Sequence, residues 1–270
     1  MAILRKNSNL DSITNLKIHI LEHGHAFLGT EWHLNLTYSL FNRLYFVISG
    51  EGYVSNAYND ITLEKEYVYF LPINNPYKLR CDNKLEKVYT HFQVQILPGI
   101  DLFDGIKECS RIKIEKNELD RLVYLLNSDS ISDILEYKSI ISHYVSRFLA
   151  PYNDKLKEHI KLFSPYASIL SYIEKNCHAG LKISEIAQHF DISYFSLIKN
   201  FKRDMNLSLK KYIDENIIRL SQQKLLLTDM SIKEIAYSLK FSDEFNFSHF
   251  FKKHAGMSPR DFRKKNRTTF

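Results

Sequence analysis

The feature that most constrains this chain is an internal repeat, in which a block beginning near residue 183 returns about 50 residues further on. Ile183-Ser-Glu-Ile-Ala recurs as Ile232-Lys-Glu-Ile-Ala, and Phe201-Lys-Arg-Asp-Met-Asn-Leu-Ser recurs as Phe251-Lys-Lys-His-Ala-Gly-Met-Ser. Each copy reads as a short helix, a tight turn and a second helix. In the first, Ile183, Ile186 and Ala187 share a face, the small Ala187 lets the next helix cross closely, and Ser193 sits at that helix's N-cap. In the second, Ser231 and Glu234 have capping-box spacing on a helix carrying Ile232, Ile235, Ala236 and Leu239. Ser242 or Asp243 then caps the helix that holds Phe247, Phe250 and Phe251. Two short helices joined by a turn of about 3 to 4 residues have the geometry that sets the second into the major groove of DNA.

Between the copies a longer helix is expected from about Ser208 to Leu227, with Tyr212, Ile213, Ile217, Leu220, Leu225 and Leu226 toward a core. It would hold the two second helices so that they enter successive major-groove segments about 34 Å apart. Charge agrees with this. Residues 161–270 hold 19 Lys+Arg against 11 Asp+Glu, whereas residues 1–160 hold 18 against 20. The basic excess belongs to the repeat-bearing part, where cations that neutralise phosphates gain free energy by releasing condensed counterions.

With these residues in view the carboxy-terminal part, about 165–267, resembles the AraC/XylS transcription regulators. The resemblance is carried by Leu181-Lys-Ile-Ser-Glu-Ile-Ala, Leu225-Leu226-Leu227-Thr228, Ser231-Ile-Lys-Glu-Ile-Ala, Phe241-Ser-Asp, Phe247-Ser-His-Phe-Phe-Lys-Lys, Gly256-Met-Ser-Pro259 and Phe262-Arg263, in that order. It implies two helix-turn-helix units on one double-stranded DNA, no catalytic residue, no cofactor, and activation of transcription through RNA polymerase more than repression. By motif position it assigns base contact to Phe195, Ile198 and Lys199 in the first unit and to Glu244, Phe245, Ser248 and His249 in the second. Phosphate contact falls to Lys202, Arg203, Ser231, Lys252 and Lys253. Three positions depart from the family pattern. Asn200 replaces an apolar residue and is expected to weaken packing, Asn206 replaces Gly, and Lys240-Phe241 replaces Gly-Phe, so that turn is expected to be built differently.

The amino-terminal part has another texture. Tyr45-Phe-Val-Ile-Ser-Gly-Glu-Gly-Tyr-Val-Ser, Ile61-Thr-Leu, Tyr67-Val-Tyr-Phe-Leu, Tyr77-Lys-Leu-Arg-Cys and Lys87-Val-Tyr-Thr-His-Phe-Gln-Val are short strand-like runs broken by Gly50, Gly52, Asn59-Asp60, Pro72 and Pro76. Phe46-Val-Ile-Ser-Gly-Glu-Gly-Tyr and Leu71-Pro72 are similar to a cupin-type sensing barrel. Such a barrel implies a small-molecule effector, a sugar for example, and Trp32, His33, Arg43, Tyr45, Tyr53, Tyr69 and His91 are the candidate lining. Metal-dependent cupin enzymes need a His-x-His, a downstream acid and a later His; His23-Gly24-His25 lacks the rest, and no metal site is expected. From Glu115 to about Leu149 apolar residues fall at helical spacing, giving a helical pair that packs on the barrel, forms a dimer seam, or both. Ala150-Pro151-Tyr152-Asn153-Asp154 is read as its end, with a linker to about Ser164.

The expected fold is α+β: an all-β cupin-like barrel in 1–110, a helical linker in 111–160, and an all-α domain with two helix-turn-helix units in 161–270. Three scattered cysteines, Cys81, Cys109 and Cys177, fit reduced thiols in a cytoplasmic homodimer. No secretory signal or membrane span is expected. Two rival readings stay open, a cupin metal enzyme fused to a helical domain and a regulator controlled by a protein partner.

Overall fold

The computed structural model describes residues 16–36, 38–97 and 99–266. The amino-terminal stretch read for a secretory signal, and Pro98, lie outside them. The chain divides into two compact units, Met1–Ile96 with Asp101–Asp154, and Leu97–Ile100 with Lys155–Phe270.

The first unit is built on two antiparallel sheets. Its strands are β1 (Lys17–Leu28), β2 (His33–Leu36), β3 (Asn42–Gly50), β4 (Gly52–Ser55), β5 (Asp60–Leu63), β6 (Tyr67–Leu71), β7 (Tyr77–Arg80), β8 (Leu85–Leu97), β9 (Ile100–Asp101) and β10 (Ser110–Lys113). One sheet runs β1-β8-β3-β6-β10 with β9 beside β8, and the other runs β2-β7-β4-β5. The alternation of side chains along β3 and β8 organises the unit, because successive residues face opposite sides of a sheet. Tyr45 and Val47 on β3, Tyr69 and Leu71 on β6, and Leu85 on β8 meet Leu36, Val54, Leu63, Tyr77 and Leu79 from the second sheet in one core. Leu44, Phe46, Val88 and Phe92 form another core on the reverse side with Leu122, Tyr137, Ile141, Tyr144 and Phe148.

Those last residues belong to α1 (Lys116–Leu126) and α2 (Ile131–Leu149), the expected helical pair, which therefore packs on a sheet. Tyr137 hydroxyl lies 2.7 Å from Thr90 Oγ1 on β8. The segment expected as a linker, 150–164, contains the division between the two compact units, at Asp154/Lys155, and is helical throughout most of its length. Pro151 sits in a short 3₁₀ turn, Ala150–Tyr152, where its missing N–H costs nothing, and α3 (Asn153–Phe163) follows directly. No described helix is long and apolar enough to cross a membrane.

The second unit is helical: α4 (Ala167–Lys175), α5 (Ile183–His189), α6 (Tyr194–Met205), α7 (Leu209–Leu227), α8 (Ile232–Ser238), α9 (Glu244–Ala255) and α10 (Pro259–Asn266). The repeat is a structural repeat. In the first copy Ile192 N–H donates to Ala187 C=O at 2.9 Å around Asp191 at φ 52, and in the second Phe241 N–H donates to Ala236 C=O at 3.0 Å around Lys240 at φ 56. Lys240 thus takes the left-handed conformation that glycine would supply, and the expectation of a differently built turn is overturned by that backbone bond. Helices α6 and α9 also end alike, on Asn206 at φ 48 and Gly256 at φ 75.

Capping differs between the copies. Ser231 and Glu234 form the expected capping box, and Asp243 accepts from Asn246 N–H at 2.7 Å. Ser193 occupies its N-cap position, but its hydroxyl accepts no cap bond. On α7, capped by Ser208, Leu220 and Leu226 are only half-buried, while Asn216, Ser221 and Gln222 are buried, because α7 is packed on more than one side. Asn200 is half-buried, and its side-chain oxygen accepts from the Arg203 guanidinium at 3.1 Å.

A left-handed, exposed lysine is strained by roughly 1 kcal/mol relative to glycine. Lys240→Gly is expected to stabilise the helical unit by about 1 kcal/mol in chemical denaturation; an unchanged or lower midpoint would show that Lys240 is not strained.

Candidate functional site

Two places in the structure concentrate chemistry. The first is the exposed face of α6 and α9. The buried faces of these helices are fixed by Leu197, Phe201 and Met205 in α6 and by Phe247 and Phe251 in α9. Phe201 meets Tyr166 edge-on at 5.1 Å, and Phe251 meets Phe262 at 5.3 Å. What remains outward is therefore set by the helical period. Phe195 is 75% exposed and Phe245 78% exposed, each at the second position of its helix. An aromatic ring left largely in water at equivalent places of both copies adds little to the core, and it has the apolar surface to meet a thymine methyl.

Lys199 and His249, one turn further along, are exposed; Ile198, Glu244 and Ser248 are half-buried at the edge of the same face. Lys202, Lys252 and Lys253 are exposed in the last turns. Arg203 is also exposed, but Nε donates to Asp204 at 2.7 Å, so part of its charge is neutralised locally. Ser231 has its backbone N–H taken by Glu234 at 2.7 Å, and its hydroxyl oxygen accepts from Glu234 N–H, which leaves only the hydroxyl proton to point outward. Ser196 and Asn246 were missed in the sequence. They lie three residues before Lys199 and His249, and the i, i+3 rule places them on the same face.

The second place is the polar floor of the larger sheet, on the side facing the smaller one. Arg43 pairs in register with His91, Tyr45 with Tyr89, and Val47 with Lys87. Arg43 is buried, donates to Ser39 Oγ, and lies 4.5 Å from the Phe41 ring. His91 is buried against Phe41 at 4.4 Å, and its Nδ1 is 2.9 Å from Glu22. Burial pushes the His91 pKa down to about 4, so at neutral pH it is an uncharged ring donating to the Glu22 carboxylate. That bond in turn holds Glu22 below the usual carboxylate range. Burial also raises Tyr45 to about 12.

The seven residues read as an effector lining are not brought together. Trp32, Arg43, Tyr45, Tyr69 and His91 are buried on the inner side. His33 and Tyr53 instead line a groove of about 380 Å³ on the outer face of the smaller sheet, with Lys78, Arg80, Asp60 and Thr62. A one-residue step reverses the side a strand residue faces, which is why Trp32 and His33 part company. Lys87 was missed. Its place on β8 is two and four residues from Tyr89 and His91, so the same alternation puts it on their side.

Comparison with known proteins follows this geometry. Residues 186–265 match the family model described as a helix-turn-helix domain. The raffinose operon transcriptional regulatory protein RafR of Pediococcus pentosaceus is 24% identical over 236 residues, covering 82% of this chain and 84% of its own length. The Msm operon regulatory protein of Streptococcus mutans is 40% identical over 86 residues, 32% of this chain and 31% of its own. Another curated relative, an HTH-type transcriptional regulator of Bacillus subtilis, is spanned over only 24% of its length. Among solved structures, ToxT from Vibrio cholerae is 14% identical with a TM-score of 0.51, over 93% of this chain and 100% of that one, a likeness of fold.

Lys199→Ala is expected to cost about 1 to 3 kcal/mol on a preferred duplex and to relax preference at one base. Equal loss on all sequences, measured by competition binding, would move Lys199 to phosphate contact.

Proposed function

We infer that this chain, whose carboxy-terminal domain is an AraC-type helix-turn-helix domain, is a sequence-specific DNA-binding transcription regulator controlled by a small-molecule effector at its amino-terminal, cupin-like sheets. The observation that carries the reading is the matched pair of outward faces, each with a bare phenylalanine ahead of a polar base-reading position and a basic last turn. Direct readout in the major groove uses this combination of apolar contact, hydrogen bonding and phosphate neutralisation. Phe195, Ile198 and Lys199 read one segment, and Glu244, Phe245, Ser248 and His249 the next. Lys202, Arg203, Ser231, Lys252 and Lys253 hold the backbone.

The regulator works in the cytoplasm as an activator that recruits RNA polymerase. It does so as a homodimer, a reading supported by Ile131 at 78% and Leu135 at 60% exposure, one turn apart on α2 with no cover from their own unit. A sugar-sized effector is supported by the likeness to a relative named for the raffinose operon. Control through a protein partner is the second reading. It is favoured by one observation: Trp32, Tyr45, Tyr69 and Tyr77 fill the space between the sheets with the chain's own side chains.

Salt dependence tests the DNA reading. Binding of the full chain to duplex DNA should weaken linearly on a log–log plot of affinity against salt, and the double variant Lys252→Ala, Lys253→Ala should lower that slope by roughly 2. A slope unchanged by the double variant, or no duplex binding at low salt, would contradict it.

A further inference from the structure

The inner floor of the larger sheet holds two buried cations and too little negative charge to answer them. Lys87 is 3% exposed and Arg43 is 6% exposed. Among the described residues neither forms an ion pair with a carboxylate, and Arg43 donates to the neutral Ser39 hydroxyl. Its ammonium instead lies 3.3 Å from the centre of the Tyr45 ring and 4.1 Å from that of Trp32. The nearby carboxylate, Glu22, is at the rim, one-third exposed, and is committed to His91 and Tyr89. Burying an ionised ammonium without a counter-ion is strongly unfavourable, and ring faces compensate only a part of that cost.

We propose that Lys87 and Arg43 form the anion-binding end of the effector site, which takes a small molecule bearing one carboxylate or phosphate group, with Trp32 and Tyr45 as the wall for its uncharged part. This rests on the effector reading above and names the ligand's charge. With the site free, the chain's own side chains fill this space and the two aromatic faces hold the Lys87 side chain; a bound anion would displace it from the rings, open the room between them and complete the charge balance. Desolvation, with Arg43 adding to it, pushes the Lys87 pKa well down, and an anion bound beside it would favour the charged form again. The candidate is visible only through register: Lys87 stands beside Val47, two residues along β8 from Tyr89 and on the same side.

The test is thermal-shift and calorimetric binding of the full chain to sugar phosphates, sugar acids and short monocarboxylates, each beside its uncharged counterpart. A charged member should bind with one-to-one stoichiometry, at least tenfold tighter than its uncharged twin, and comparison of the phosphate and carboxylate series identifies which anion is meant. Lys87→Gln and, separately, Arg43→Gln should each weaken that binding at least tenfold, with Lys87→Arg retaining most of it. If the uncharged twins bind as tightly, or if both glutamine variants bind the charged member unchanged, the inference falls and the effector reading stands. If neither series binds at all, both fall together.

Discussion

The burial of α7 is the constraint on which the rest of the carboxy-terminal unit depends. Tyr212, Ile213 and Ile217 enter the same core as Phe201 of the first copy, and Phe241 and Phe250 of the second pack against that core. At about 1.5 to 3 kcal/mol for each fully buried aliphatic or aromatic side chain, this contact outweighs any single cap or ion pair in the unit. The far end is tied as well. Arg263 donates to Leu225 C=O at 2.9 Å and to Met230 C=O at 2.5 Å, closing the end of α7 and the turn into the second copy. With α6 and α9 held this way, the entropy of fixing their separation has been met in folding.

In the amino-terminal unit, β8 is shared by both cores, as are β3 and β6. Its outward residues Val88, Phe92 and Val94 join α1 and α2, and its inward residues Lys87, Tyr89 and His91 carry the polar floor. A change at one side of a strand is felt at the other, because interiors are packed at near-crystalline density. Asp101 adds a polar tie nearby. It accepts from Asn42 at 3.0 Å, Val94 N–H at 2.9 Å and Phe103 N–H at 2.9 Å, while burial raises its pKa to about 6.

Legibility in the sequence followed the physics of each signal. The repeat was plain because apolar positions recur about 50 residues apart, and Phe195 and Phe245 could be placed by copying the pattern. The strands were legible from their punctuation, whereas the face of each residue was not: His33 and Tyr53 proved to lie on the outer side while Trp32 and Tyr45 lie within. Lys87 escaped notice because lysine is rarely buried, and composition offers no hint of such an exception. The helix within the linker to about Ser164 is not legible, because Pro151 suggests a stop. In fact a proline in a 3₁₀ turn can lead straight into a helix. Lys240 was misjudged in the same manner, since a preference for glycine in a left-handed turn is a matter of about 1 kcal/mol that surrounding packing can override.

The central claim is that both helix-turn-helix copies read DNA at a fixed separation, and selection from a random duplex pool tests it most directly. The purified chain is offered the pool at one near-physiological salt concentration, and bound molecules are sequenced. The account predicts enrichment of two short blocks about one helical turn apart, with Phe195→Ala erasing preference in one block and Phe245→Ala in the other. Enrichment of a single block, insensitive to one of these substitutions, would contradict it.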